Sequence, residues 1–247
     1  VHFPKDQEHL ATARRRIVFE EFFLFILSLR QLKEQTDGKV VVFTMGPPDA
    51  EKALRDAMAL GCDESCLITD RAVAGGDTVA TAKVLAKAIQ LYGEFDLILG
   101  GALSADGATG QVAAMVAEEL NLPHVVEIQS VKYKEDQAGK VEVVKKMHDT
   151  SFRIACATPA VLSVNFGCNE PRLATLRSKR AAKSKPLVTY TNAELGFAAE
   201  EVGIKGSPTV TVDSFQPETK KSAKMLTGTP AELAKQLYDL IEEEKGK

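Results

Sequence analysis

Between Asp96 and Gln111 the chain holds its densest set of residues suited to chemistry. A short apolar run ends in Gly100 and Gly101, a loop of small residues follows, and Thr109 and Gln111 open a stretch of helical character over 112–117. The chemistry this spacing supports is anion binding. Unpaired backbone N–H groups and the positive end of a helix dipole face such a loop. Glycines at 100, 101, 107 and 110 let the backbone approach a phosphate with no Cβ in the way. A strand–glycine–helix turn also occurs where nothing binds, so the stretch alone leaves both readings open. Two other loops have similar texture: Met45-Gly46-Pro47-Pro48, and the run 74–78, which contains Gly75, Gly76, Asp77 and Thr78.

These loops are placed by a regular alternation. Residues 40–44 are β-branched and apolar, as in a strand buried on both faces. A tight turn follows, Asp49 is expected to cap a helix over 50–60, and Gly61 ends it. A strand over 65–69 leads to the second loop, where Asp77 or Thr78 should cap a helix over 79–92. A strand at 97–100, a helix at 111–120 and a strand from 123 continue the pattern. Such βαβ repetition implies a parallel sheet with helices on both faces and right-handed crossovers. The three loops then share the carboxyl edge of the strands, where ligands bind in this architecture. Beyond residue 126 the texture changes. Residues 128–134 and 140–146 read as a hairpin, 152–157 and 160–164 as strands, 173–182 as a short helix, and Val210-Thr211-Val212 as a strand. The basic run 179–185 reads as a solvated face or, more sharply, as a surface for an acidic partner. A linker at 220–228 leads to a helix with Thr229 as N-cap, Pro230 at its first position and an apolar stripe of Leu233, Leu237, Leu240 and Ile241. The first 35 residues stand apart: 10–27 reads as a helix that is apolar nearly all round from 22 onward. The expected organisation is a helical N-terminal segment (1–35), an α/β domain (36–219) and a C-terminal linker with a partner-docking helix (220–247).

Composition excludes several functions. A formal net charge of −3 gives no electrostatic case for nucleic acid, and the absence of Trp removes the best base-stacking side chain. Cys62, Cys66, Cys156 and Cys168 are too dispersed for a zinc site and suit buried thiols in a reducing compartment. The four histidines form no ligand pair. The longest apolar run, 22–29, is too short to cross a bilayer and no signal-peptide pattern precedes it. The expectation is a cytoplasmic protein with no metal site and no membrane insertion.

The motifs, in order, resemble the β subunit of electron transfer flavoproteins over about residues 29–247. The stretch 42–48 with 59–63 is similar to that family's first loop and helix. Residues 69–72 leading into Gly76-Asp77-Thr78-Val79-Ala80-Thr81 are similar to its second loop, and 106–112 to its nucleotide-binding loop. Asn169-Glu170-Pro171-Arg172, followed by 174–176 and lysines, resembles its partner-docking segment, and 205–209 is also similar. The residues before about 29 do not follow the family's pattern; over 1–25 they resemble a short linker of RecG-type DNA helicases, with no helicase motif.

The resemblance implies a Rossmann-like fold that binds an adenine nucleotide, FAD or alternatively AMP. The implied cofactor contacts are Met45, Gly46 and Pro47 in the first loop and Asp77, Thr78 and Thr81 at the second. At the third they are Gly101, Asp106, Gly107, Ala108, Thr109, Gly110, Gln111 and Val112. The version with Gly76 to Thr81 resembles the family's electron-bifurcating members. The implied partners are an FAD-bearing α subunit and an acyl-CoA or other flavin dehydrogenase, met through Asn169, Glu170, Arg172 and Leu176. No side chain is expected to be catalytic; the implied role is electron carriage. Two alternatives stand beside it: a structural AMP-binding scaffold subunit, and a stand-alone ATP-using enzyme of similar fold, which the lack of a Gly-x-x-x-x-Gly-Lys-Ser/Thr loop disfavours.

Overall fold

A computed structural model of the chain describes residues 32–104, 107–133, 139–165, 168, 173–210, 212 and 225–245. The helix expected over 10–27 lies outside them, as do Asp106, Asn169, Glu170 and Arg172. The chain divides into two units, Val1–Val210 and Thr211–Lys247.

The first unit is α/β, as the alternation implied, but its strands form two hydrogen-bonded sheets. One is three-stranded and parallel, in the order β1 (Val41–Met45), β2 (Glu64–Ile68), β8 (Leu187–Tyr190). The other has five strands in the order β3 (Leu97–Gly101), β7 (Ala160–Val164), β4 (His124–Tyr133), β5 (Lys140–Met147), β6 (Thr150–Ala157). Its first three strands are parallel, and β4, β5 and β6 are antiparallel, so the expected hairpin is present. A bulge between Val125 and Ile128 redirects β4 from one kind of pairing to the other. There Glu127 takes a φ of 59° and its N–H donates to Ser163 Oγ at 2.8 Å.

Side chains leave β1 alternately to opposite faces. Val42 packs with Leu54, Ala57 and Leu60 of helix α1 (Glu51–Leu60), while Phe43 packs against helix α2 (Thr78–Tyr92) on the other side. Helix α2 serves both sheets. Its Ala82, Ala86 and Ile89 form one cluster with Phe43 of β1, Ile98 of β3 and Val116 of helix α3 (Val112–Glu119). Small residues on α2 permit this close approach on two sides. β1 and β3 are each the last strand of their sheet, so each keeps one edge that no described strand covers.

Several local expectations change. Asp49 lies in a 3-10 turn (Pro48–Ala50) and makes no side-chain cap; α1 starts after it. Val210 and Val212 are not in a strand and are 75% and 95% exposed. Strand β8, which pairs with β2, was not anticipated, because Pro186 and the basic run before it hide its four residues. Helix α4 (Leu176–Ala182) starts at Thr175, whose Oγ1 accepts from Ser178 N at 3.1 Å, and not at 173. The helix Asn192–Leu195 (α5) carries a capping box between Thr191 and Glu194. In the second unit, helix α6 (Pro230–Lys245) has Thr229 at its start, where N–H and Oγ1 both donate to Glu232 Oε2, at 2.8 and 2.9 Å. Cys62, Cys66 and Cys156 are buried, Cys168 is half-buried, and none forms a disulfide.

The basic run is not wholly a solvated face. Lys185 Nζ donates to the carbonyls of Met58, at 3.1 Å, and Cys62, at the end of α1. Arg55 donates back to the carbonyls of Ala182 and Lys185, at 3.1 and 2.8 Å. A cation on the last carbonyls of a helix satisfies acceptors and complements the dipole. Lys185→Met is therefore expected to cost about 1–2 kcal/mol of stability, read as a lower urea midpoint at unchanged slope. Lys185→Arg should recover part of that loss.

Candidate functional site

The third loop, between β3 and α3, leads into a helix start without a side-chain cap. Gly100 sits where a Cβ would lie 3.1 Å from Ala113 Cβ, so its lack of a side chain lets the start of α3 rest directly on β3. Ala102 N–H donates to Val164 O at 3.0 Å, and Ala108 N–H to Ser104 O at 3.1 Å, which folds the loop back on itself. Gly110 has φ +66°, and a Cβ there would stand 3.2 Å from Leu103 Cδ2 and 3.3 Å from Ala102 O. That conformation and that space both demand glycine.

The start of α3 has no side-chain cap. Gln111, in the N-cap position, turns its side chain away, and its Oε1 accepts from Thr78 Oγ1 at 3.2 Å. The first intrahelical bond is Met115 N–H to Gln111 O at 3.0 Å. The N–H groups of Val112, Ala113 and Ala114 precede it and have no acceptor within the helix. Backbone amides, a helix dipole and the Thr109 hydroxyl together are a donor set that fits a phosphate or another anion.

The second loop is built differently. Asp77 caps α2: Oδ1 accepts from the N–H of Val79 and Ala80, both at 3.0 Å. Its Oδ2 accepts from Thr209 N–H at 3.0 Å and from Thr209 Oγ1 at 2.7 Å. Asp77 N–H donates to Ser207 Oγ at 2.8 Å, and that hydroxyl donates to Gly203 O at 2.7 Å. Burial alone would raise the Asp77 pKa. The bonds from Ala80, Thr209 and Val79 outweigh it and hold the carboxyl below the ordinary carboxylate range. Asp77 thus holds segment 203–209 against the start of α2 and fills the dipole end of that helix with its own charge. Ser207 and Thr209 are the residues that sequence reasoning did not single out as part of this arrangement. Their signal was the pair of hydroxyls in the Gly206-Ser207-Pro208-Thr209 turn.

At the first loop, Gly46 N–H donates to Ile68 O at 3.0 Å, which binds the end of β1 to the end of β2. Met45 is partly buried against the core beside Cys66 and Ile68. The Thr78–Gln111 bond joins the second and third loops directly.

A cleft of about 460 Å³ opens next to the third loop. Gly101, Thr109, Gly110, Gln111 and Val112 form its rim, and Val41, Phe43, Leu97 and Leu99 its walls. Of the expected cofactor contacts, those five line the cleft. Met45, Gly46, Pro47, Asp77, Thr78, Thr81, Gly107 and Ala108 do not. Ala108 has φ 46°, and a Cβ at Gly107 would stand in ordinary contact with Ser104 Oγ at 3.7 Å and Thr109 Cγ2 at 3.8 Å. Of the expected docking residues, Leu176 opens α4 and is 79% exposed, next to Leu173 at 91%. Among the described residues, no group of three or more His, Cys, Asp or Glu could hold a metal ion, and no helix is long and apolar enough to cross a membrane.

With this geometry in place, comparison with known proteins is informative. The electron transfer flavoprotein domain model matches residues 28–195. The chain is 37% identical over 212 residues to the electron transfer flavoprotein subunit beta of Thermoanaerobacterium thermosaccharolyticum, spanning 85% of this chain and 80% of that protein. It is 34% identical to the caffeyl-CoA reductase-Etf complex subunit CarD of Acetobacterium woodii, over 86% of this chain and 80% of that one. It is also 34% identical to the electron transfer flavoprotein subunit beta of Bacillus subtilis, over 87% and 81%.

The Asp77 geometry sets a testable pH dependence. Because its folded-state pKa is lowered, the group adds stability above the unfolded value near ~4 and loses that contribution as pH falls through the folded value. Asp77→Ala should cost about 1–2 kcal/mol at neutral pH. Thermal unfolding of wild type and variant should converge as the pH falls below the unfolded carboxylate value. A constant gap at all pH values would show that the carboxylate charge is not responsible.

Proposed function

This chain belongs to the electron transfer flavoprotein family, and on that premise we propose that it acts as a β-type subunit that binds an adenine nucleotide at the rim formed by Gly100, Gly101, Thr109, Gly110 and Gln111. The observation that carries this reading is the contrast between two helix starts. Asp77 neutralises the start of α2 from within, whereas α3 begins with no side-chain cap, beside an open cleft. The α3 amides and the Thr109 hydroxyl would hold a phosphate. The Thr78–Gln111 hydrogen bond would tie that helix start to α2. Val112 would add to the rim; Met45, Gly46, Pro47, Asp77, Thr78, Thr81, Asp106, Gly107 and Ala108 are proposed contacts only for the part of the nucleotide that extends beyond the cleft.

FAD is the nucleotide that the Gly76–Thr81 pattern favours, and when bound it supplies one- and two-electron redox chemistry. The chain's own residues would bind, orient and exclude water, and the protein's contribution would be position and redox tuning. Electrons would pass between a dehydrogenase and downstream acceptors together with an FAD-bearing α subunit, in the cytoplasm. Two exposed apolar surfaces suit such partners. One is Leu173 and Leu176 beside the basic α4. The other is Leu237, Tyr238 and Ile241 on α6.

Heat-denaturing the purified complex and identifying the nucleotide released tests the reading. FAD at one per chain, beyond that of the α subunit, supports it. AMP in its place would select the scaffold role, and no adenine nucleotide would overturn it. Gly110→Val, which forces a branched side chain into a left-handed conformation, should lower nucleotide occupancy at least about tenfold with the far-UV spectrum unchanged. Leu176→Ala should slow electron delivery from the dehydrogenase while leaving nucleotide content intact. Equal rates would exclude that docking role.

A further inference from the structure

We propose that residues 203–209 form a strap that Asp77 latches across the second loop, and that this latch fixes where the chain leaves the first unit, so that α6 is offered to its partner from one defined point. The second half rests on the reading of α6 as a partner surface. The strap follows the loop step by step. At its root, Val202 is 1% exposed and packs with Cys66, Ile68, Val73 and Leu195. Gly203 has φ +60°, and a Cβ there would run into the carbonyl of Ala72. Only glycine suits that conformation and that space, so shape and core packing hold the root. Ile204 then lies over Gly75, where a Cβ would come within 2.9 Å of Ile204 Cγ1.

The tip is held in another way. Thr209 is exposed, and its N–H and Oγ1 both donate to one atom, Asp77 Oδ2, at 3.0 and 2.7 Å. Between root and tip, Ser207 Oγ accepts from Asp77 N–H and donates to Gly203 O. Pro208 has no N–H to offer. Ile204 and Val210 are exposed, so little apolar burial supports the outer half. A segment with a buried root and an exposed tip, whose polar bonds converge on one residue, opens from the tip while its root stays closed. Val210, next after the tip, is the last residue of the first unit. The chain therefore passes to the second unit from the latch itself.

One carboxylate thus has two tasks, and chemistry separates them. Oδ1 caps α2 through Val79 and Ala80, and Oδ2 holds the strap. Asparagine is as good an N-cap as aspartate, so Asp77→Asn keeps the first task. Its Nδ2 would meet the Thr209 N–H donor against donor, and the second task is lost. Release of residues 204–209 adds six residues to the chain between the first unit and α6, about 20 Å of reach. For a partner that holds both the first unit and α6, the effective concentration of α6 falls as that connection lengthens.

Amide exchange of the full-length chain in complex with its α subunit, read on peptides over 72–82 and 198–210, tests the strap. In Asp77→Asn and in Thr209→Val, exchange over 207–210 should rise at least about tenfold, while 79–82 and 198–203 keep their wild-type protection. Thr209→Ser, which retains the hydroxyl, should restore the wild-type pattern. Unchanged exchange over 207–210 in both variants would overturn the strap. So would a rise that spreads over the root and α2, since that marks general loosening. The two variants sit on opposite sides of the same bonds, so one that folds poorly leaves the other to decide. The second readout is dissociation of the α subunit, expected at least about threefold faster in both variants. A released strap with unchanged dissociation would overturn its role in presenting α6. Leu237→Asp in the otherwise unaltered chain checks the premise separately. If that change leaves dissociation as it was, the partner reading of α6 fails, and the exchange result still decides the strap.

Discussion

The position of helix α2 is the constraint on which the first unit rests. One small-residue helix packs against two sheets, and it is fastened at both ends. At its start, Asp77 takes two amides of the helix and two donors of Thr209. At its end, Tyr92 donates to Glu64 Oε2 at 2.5 Å and meets Phe43 edge-on at a ring separation of 5.3 Å. Phe95, just beyond, meets the same Phe43 at 5.7 Å. β1, β2 and the approach to β3 are thereby held to one rod. The relative placement of the loops at the carboxyl edge follows from it.

That fastening also divides the labour among the loops. A helix start can bind a charge of its own or leave its field to a ligand. At α2 the internal aspartate has taken the position, and the reward is a fixed 203–209 segment. At α3, Gln111 is drawn off to Thr78, which braces the helix without covering its amides. The two devices cooperate: the braced, self-satisfied helix locates the one with free donors. In a family that moves electrons rather than making and breaking covalent bonds, such placement is what the protein has to contribute.

Much of this was legible in the residues. The alternation of β-branched runs with capped helices fixed the class, because burial on both faces leaves a continuous apolar signature that a short window can reveal. The glycine pattern at 100–110 was legible because close approach and positive φ admit few other residues. What was not legible depended on distant partners. Strand β8 has four residues and owes its existence to a ladder with β2 over a hundred positions away. Lys185 reads as one more surface lysine until α1 is placed beside it. Asp77 looks like a cap from sequence, and only the folded chain shows its second oxygen committed to Thr209. The valines at 210 and 212 have strand propensity, but among the described residues no strand pairs with either.

The burial of the thiols has a consequence for a molecule that works near reactive electron carriers. Burial pushes the thiols of Cys62 and Cys66 up to about 12, in each case chiefly through lost hydration. Peroxide and electrophiles attack the thiolate, and at neutral pH these two sites present almost none. Side reactions of leaked electrons with oxygen would therefore find the centre of the three-stranded sheet chemically inert, and the half-buried Cys168 at the margin of the other sheet would meet such oxidants first.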